Sequence, residues 1–234
     1  MRAGIILQAR VGSSRLPGKA LATIGSRTIL EICLRRLSAA GAGPVVLATT
    51  IAHEDDALET IATGLNVLVL RGDANDVLGR YVKAADAFGL DTIVRATGDN
   101  PCVDIQAPLR LLAALQSNGA DYACEDGLPY GAGVEAVTRA ALTRADREAT
   151  QADDREHVTL YVRRHPQTFS VLTVPAPASL RRPDVRVTVD TAADLEHVRD
   201  LYARAGSELP PLSRIIEVAV SRESTSASQH REVA

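Results

Sequence analysis

Leu7-Gln8-Ala9-Arg10-Val11-Gly12-Ser13-Ser14-Arg15-Leu16-Pro17-Gly18-Lys19 is the stretch from which the rest of the chain can be read. An apolar strand over residues 3–7 runs straight into it. A buried strand that ends in a flexible, cationic, hydroxyl-rich loop suits a polyphosphate. Glycines let backbone approach an anion closely, and exposed N–H groups in such a loop form a concave anion site. Arg10, Arg15 and Lys19 add charge-assisted hydrogen bonds. The loop is not a Walker A motif, because five residues separate Gly12 from Gly18 and Ala20 follows Lys19. It also lacks the three-glycine spacing of the dinucleotide fingerprint. An ordinary polar surface loop would account for one arginine, but not for this density of cations, serines and glycines.

The 234 residues suffice for one sizeable α/β domain, and 46% apolar content can fill its core. Aromatics are only 3% and Trp is absent, so that core is built from Ala, Val, Leu and Ile. A net charge of −3 argues against a general nucleic-acid binder, since the cations gather at one loop. Cys33, Cys102 and Cys124 show no metal spacing, and their odd number suggests a reducing compartment. No signal-peptide pattern and no apolar run of transmembrane length occur. The expectation is a soluble cytoplasmic protein.

Strand and helix alternate down the chain. Ser26 can cap a helix striped by Ile29, Leu30, Cys33, Leu34 and Leu37, which Gly41 and Gly43 end. Strands are predicted over 44–50, 66–70 and 91–96, with helices over 53–63 and, capped by Asp76, through Phe88. Such alternation with short links predicts a parallel sheet covered on both faces, a three-layer α/β/α sandwich. Ligands in these sheets sit beyond the carboxyl ends of the strands. The opening loop, Arg71-Gly72-Asp73 and Thr97-Gly98-Asp99-Asn100 all follow strands, so they should meet at one sheet edge. Further on come a helix over 104–118, a short strand over 121–124 and a Gly/Pro-rich hairpin or loop appendage near 125–138. Thr138 caps a helix to about 150, and another opens at Asp154 and ends before Pro166. Strands over 169–174 and 185–189, a helix from Thr191 or Asp194 to Ala205, and a segment over 212–220 complete a single domain. Residues 221–234 are polar and read as a frayed tail.

Asp99 and Asp190 each follow a strand. As single residues they read as helix caps. Beside a triphosphate-shaped loop they read as magnesium ligands, because Mg²⁺ takes one or two carboxylates and completes its shell with phosphate oxygens and water.

The opening stretch resembles the signature of the cytidylyltransferases, which include sugar-acid activating enzymes such as CMP-KDO and CMP-sialic acid synthetases. It is more similar still to the spore-coat polysaccharide biosynthesis proteins of the SpsF type. The resemblance continues through Arg71-Gly72-Asp73, Asp76-Val77-Leu78-Gly79-Arg80-Tyr81, Val94-Arg95-Ala96-Thr97-Gly98-Asp99-Asn100-Pro101, Arg155-Glu156-His157-Val158-Thr159 and Arg186-Val187-Thr188-Val189-Asp190. It implies a nucleotide-diphospho-sugar transferase fold, commonly dimeric. It also implies Mg²⁺-dependent transfer of CMP from CTP to a small anionic acceptor (sugar acid, sugar phosphate or phosphonate), with no nucleic acid or membrane partner. By that resemblance Arg10, Gly12, Ser13, Ser14, Arg15 and Lys19 hold the triphosphate, and Leu7, Gln8 and Ala9 meet the base. Thr97 and Gly98 line the nucleotide, Asp99 and Asp190 hold the metal, and Arg71, Asp76 and Arg80 lie near the base and acceptor pockets. Relatives tend to read Pro-Asp-Gly-Leu-Asp-Val-Glu where this chain has Pro129-Tyr130-Gly131-Ala132-Gly133-Val134-Glu135. Tyr130, Gly131 and Glu135 are therefore acceptor-side candidates, Glu135 either binding acceptor hydroxyls or pairing with a surface cation; His157, at a helix start, is a further candidate beside a solvated, capping or helix-packing role. Two rivals stand beside this reading: a nucleotide-sugar glycosyltransferase of the same fold class, and a non-catalytic nucleotide-binding protein.

Overall fold

The strand that feeds the opening loop, β1 (Ala3–Gln8), is buried on both faces along its middle, as an interior strand of a parallel sheet must be. A computed structural model describes residues 2–13 and 15–229, with 222–229 as backbone only. After the loop come a small hairpin, β2 (Thr23–Ile24) and β3 (Arg27–Thr28), and helix α1 (Ile29–Ala39). Then follow β4 (Val45–Thr50), α2 (Asp56–Gly64), β5 (Leu68–Gly72), α3 (Val77–Ala87), β6 (Thr92–Thr97) and α4 (Ala107–Asn118). The second half runs β7 (Tyr122–Asp126), β8 (Glu135–Thr138), α5 (Arg139–Glu148), α6 (Ala152–Glu156), α7 (Leu160–Arg164), β9 (Val171–Pro175), α8 (Ala192–Ala205) and α9 (Leu212–Gln229).

Seven strands form one sheet in the order β5-β4-β1-β6-β8-β7-β9. All neighbours are parallel except those of β8, which runs antiparallel to both β6 and β7. Successive residues of β1 feed opposite faces: Ile5 and Leu7 join a core with α1, α2, α4, α8 and α9, while Ile6 joins one with α3, α5 and α7. The mostly parallel three-layer sandwich predicted from the alternation is thus the fold. No helix among the described residues is long and apolar enough to cross a membrane.

Local chemistry sets the helix starts. Asp76 accepts from Gly79 N–H at 2.9 Å and starts α3, and Thr138 starts α5. Thr191 and Asp194 form a reciprocal capping box at α8. The first helix is capped by Thr28, which accepts from Glu31 N–H, and not by Ser26, which lies in the tight β2–β3 turn.

Four other expectations are corrected. The segment near 125–138 is no appendage, because β8 inserts between β6 and β7 inside the sheet. Residues 185–189 do not form a sheet strand. Their alternate valines are buried, but their backbone pairs with loops at Tyr130 and Asp99, leaving one isolated bridge to Tyr130. The helix predicted from Asp154 is broken into α6 and α7, and buried Val158 at the break has φ 28°, an unusual backbone for a β-branched residue. Next to it, Thr159 turns its hydroxyl to the carboxylate of Glu135, a tertiary partner that periodicity cannot foresee. The last helix runs past Val220 to Gln229, since a Ser/Ala/Glu stretch without Gly or Pro contains no stop signal. The rest of the expected tail, 230–234, lies outside the described residues.

Candidate active site

β1 and β6 pair in register to their ends, Gln8 opposite Thr97, so the opening loop and Gly98-Asp99 leave the sheet side by side. Gly98 N–H donates to the Gln8 carbonyl at 2.8 Å, and a Cβ at Gly98 would come within 2.8 Å of the Ala9 Cβ. Segment 185–190 arrives from the other flank. Val189 N–H donates to the Asp99 carbonyl at 2.9 Å, and the Thr188 hydroxyl donates to the same oxygen. Two aspartates far apart in sequence are thereby held together.

Lys19 fills the space between them. Its ammonium lies 3.2 Å from Asp99 Oδ2, 3.4 Å from Asp190 Oδ1 and 3.1 Å from the Val189 carbonyl oxygen. Arg15 also donates to Asp190 Oδ1 at 2.8 Å. The second oxygen of Asp190 accepts from Arg186, whose guanidinium is shared with Asp194 and stacks over the Tyr130 ring at 4.8 Å. Hydrogen bonds from Arg186 hold the Asp194 carboxyl well below the usual range.

The loop itself is pinned from below. Val11 N–H donates to Asp55 Oδ1 at 2.7 Å, while Asp55 Oδ2 accepts from Thr49 and Thr50 at the end of β4. Burial alone would raise the Asp55 carboxyl, but hydrogen bonds from Thr50, Val11 and Thr49 bring it below its ordinary value.

A cavity of about 260 Å³ opens over these strand ends. It collects Gln8, Ala9, Arg10, Ser13, Arg15 and Lys19 from the loop, and Thr97, Gly98 and Asp99 from the end of β6. Arg80 from α3 and His157 from the α6–α7 break close it. Arg80 is 2% exposed; its Nη1 donates to the Asp73 carbonyl and its Nε has no partner. Burial lowers its pKa. Gln8 Oε1 is likewise buried without a partner. Unsatisfied buried polar atoms lining a cavity mark a place for a ligand. A second cavity of about 430 Å³ adjoins the first and contains Tyr130, Gly131 and Glu135. Arg95 and Thr97 line both.

Several sequence-predicted residues lie elsewhere. Leu7 is fully buried beneath the loop, and Gly12 faces Glu54. Arg71 donates to Asp56, Glu59 and the carbonyls of Thr50 and Ala52, so its guanidinium ties β5 to α2 and stays out of the cavity. Asp76 is used by the α3 cap and by Arg155. His157 lines the first cavity and not the second. Ser14 lies outside the described residues. The sequence reading missed Arg95, Asp55, Arg186 and Glu156 as site components. Arg95 and Arg186 carried a signal, each being a charge inside a stretch read as an apolar strand.

Among the described residues no group of three or more His, Cys, Asp or Glu side chains is placed to hold a metal. The oxygen set around the Lys19 ammonium nevertheless fits a hard divalent cation. Two carboxylates and a carbonyl already converge on one positive charge, and Mg²⁺ needs few protein ligands.

The sheet order, and a cationic loop facing two carboxylates at the strand ends, define an α/β protein of the nucleotidyltransferase fold. The chain belongs to the cytidylyltransferase family, whose profile matches residues 4–220. It is 36% identical to the spore coat polysaccharide biosynthesis protein SpsF of Bacillus subtilis, over 97% of both chains. A solved cytidylyltransferase from Leptospira borgpetersenii superposes with a TM-score of 0.90 at 32% identity, covering 96% of each chain. A 3-deoxy-manno-octulosonate cytidylyltransferase from Xanthobacter autotrophicus is 33% identical over 51% of this chain and 48% of its own length.

Proposed function

We propose that the chain transfers CMP from CTP to a small anionic acceptor, a sugar acid, sugar phosphate or phosphonate, and releases pyrophosphate with the help of Mg²⁺. The observation that carries this reading is the single ammonium of Lys19 bridged by Asp99, Asp190 and the Val189 carbonyl. When triphosphate enters, Lys19 and Arg15 have a better anion to face, and Asp99 and Asp190 are left as the metal pair. Asp99 and Asp190 would hold a divalent ion, which would supply Lewis-acid stabilisation of charge on the reacting groups.

The acceptor oxygen forms a bond to the α-phosphorus as the bond to pyrophosphate breaks. Charge spreads over phosphoryl oxygens in that transition state, so positioning and electrostatics carry the catalysis. Arg15 and Lys19 neutralise the leaving pyrophosphate, and Arg10 and Ser13 contact the phosphates from the same loop. Tyr130, Gly131 and Glu135 face the acceptor, and His157 sits on the nucleotide side. A cytoplasmic homodimer completes the reading, on the strength of the resemblance.

A pyrophosphate-release screen of CTP, UTP, ATP and GTP against anionic acceptors, with and without Mg²⁺, tests this. Release is expected with CTP, acceptor and metal together. Turnover of a nucleotide-sugar without pyrophosphate would place the chain with the glycosyltransferases. Binding without any turnover would make it a non-catalytic nucleotide binder.

A further inference from the structure

Of the 26 lysines and arginines in the chain, two are lysines: Lys83, exposed on α3, and Lys19 in the opening loop. At position 19 the choice matters. An ammonium is a compact point charge with three donors on a flexible stem, whereas a guanidinium is a rigid planar fork. The Lys19 ammonium meets three oxygens, Asp99 Oδ2 at 3.2 Å, Asp190 Oδ1 at 3.4 Å and the Val189 carbonyl at 3.1 Å. Two of these are the carboxylates assigned above to the divalent ion, and an ion between them cannot share that space with the ammonium. Charge points the same way. Arg15 donates to Asp190 Oδ1, and Arg186 links Asp190 Oδ2 to Asp194. Lys19, Arg15 and Arg186 thus cancel Asp99, Asp190 and Asp194, and a neutralised cluster exerts little pull on a free dication.

The ammonium can leave while the backbone stays. Lys19 N–H donates to the Leu16 carbonyl, the Lys19 carbonyl accepts from Ala22 N–H, and Ala20 beside it is buried. Rotation of the four-carbon stem is enough to move the charge. Lys19 lines the first cavity together with Arg10, Ser13 and Arg15. A triphosphate held there competes with the carboxylates for the ammonium and brings the negative charge that a dication needs. We propose that the Lys19 ammonium is a built-in stand-in for the divalent ion: it bars free metal from Asp99 and Asp190 until a nucleoside triphosphate draws it off. This rests on the reading above, in which Asp99 and Asp190 hold the ion, and adds an order of events to it: metal enters with the triphosphate or after it, not before. By linkage, metal and triphosphate then strengthen each other's binding by the same factor.

The test reads metal binding directly on the full chain. Mn²⁺, whose free form is counted by EPR, is titrated into nucleotide-free protein. Lys19→Met should bind it about 10-fold or more tightly than wild type, because the competing ammonium is gone. That gain should vanish when Asp99→Asn is added, and Mn²⁺ should raise the melting temperature of Lys19→Met more than that of wild type. A second measurement needs no change at the site. Isotope-labelled lysine gives the wild-type protein two side-chain NMR signals, told apart by the loss of one in Lys83→Arg. Mn²⁺ alone should leave the Lys19 signal as sharp as that of Lys83, and Mn²⁺ with CTP should broaden Lys19 selectively. Equal nucleotide-free affinity in wild type and Lys19→Met overturns the proposal and leaves the metal pair standing. So does a Lys19 signal that Mn²⁺ broadens before CTP is present. Binding of Mn²⁺ with CTP that Asp99→Asn does not weaken refutes the metal pair itself, and the proposal with it.

Discussion

Lys19 and Gly98 show how much single residues decide at this site. The chemistry of the opening loop was legible because it is local: cations, hydroxyls and glycines within one turn announce an anion whatever the fold does. Arg71 and Asp76 lie outside both cavities for the opposite reason. Each sits in a stretch that fits the family pattern, but their partners, Asp56 and Glu59 for one and Arg155 for the other, come from elements that only folding brings near. Arg95 was passed over because a charge in a strand gains meaning only when the neighbouring strand supplies Glu135. Gly98 carries a prediction at this scale. A methyl there meets the Ala9 Cβ at 2.8 Å and the Gln8 carbonyl oxygen at 3.1 Å, and backbone cannot move aside cheaply. Gly98→Ala should cost about 1–3 kcal/mol by overpacking and reduce pyrophosphate release further than that loss of stability alone explains. Urea melts together with the release assay measure both, and wild-type values in both would contradict the packing argument.

Among the elements, α8 links fold to chemistry. Asp194 Oδ2 accepts from the N–H groups of Asp190 and Thr191, and Thr191 Oγ1 accepts from Asp194 N–H. The helix start therefore fixes the backbone that carries Asp190. Thr191→Ala should destabilise the protein by about 1 kcal/mol, as loss of a cap does. It should also weaken the dependence of activity on Mg²⁺, seen as a higher metal concentration at half-maximal rate. An unchanged metal dependence would mean that Arg186 and Lys19 suffice to place Asp190. Caps of this kind are short-range and could be read at Asp76, Thr138 and Thr191. The α6–α7 break and the unpaired 185–189 segment could not be, because hydrogen bonds to Glu135, Tyr130 and Asp99 override the local pattern there.

For the whole molecule, the alternation of strand and helix was enough to predict a parallel sandwich and one functional edge. It did not reveal the insertion of antiparallel β8, since a hairpin and a sheet-spanning strand look alike in four residues. Carboxylates held by hydrogen bonds give the molecule a pH dependence. Asp55, Asp76, Glu135 and Asp194 all have folded pKa values below their ordinary ones. Each contributes stability that is fully present above its unfolded pKa and is lost as pH falls through the lowered folded value. Stability with respect to these groups is thus level near neutrality and declines as pH drops below about 5. Thermal melts from neutral to strongly acidic buffer should show that decline, and a melting temperature that holds steady into strong acid would contradict it.

The central claim is that the α-phosphorus of CTP is attacked beside Asp99 and Asp190. It is tested most directly by following CTP labelled at that phosphorus, with Mg²⁺ and a small anionic acceptor. The account predicts label in a CMP–acceptor conjugate and unlabelled pyrophosphate in equal amount, both abolished in Asp99→Asn. Label that stays in CTP, or leaves it without a conjugate, would contradict it.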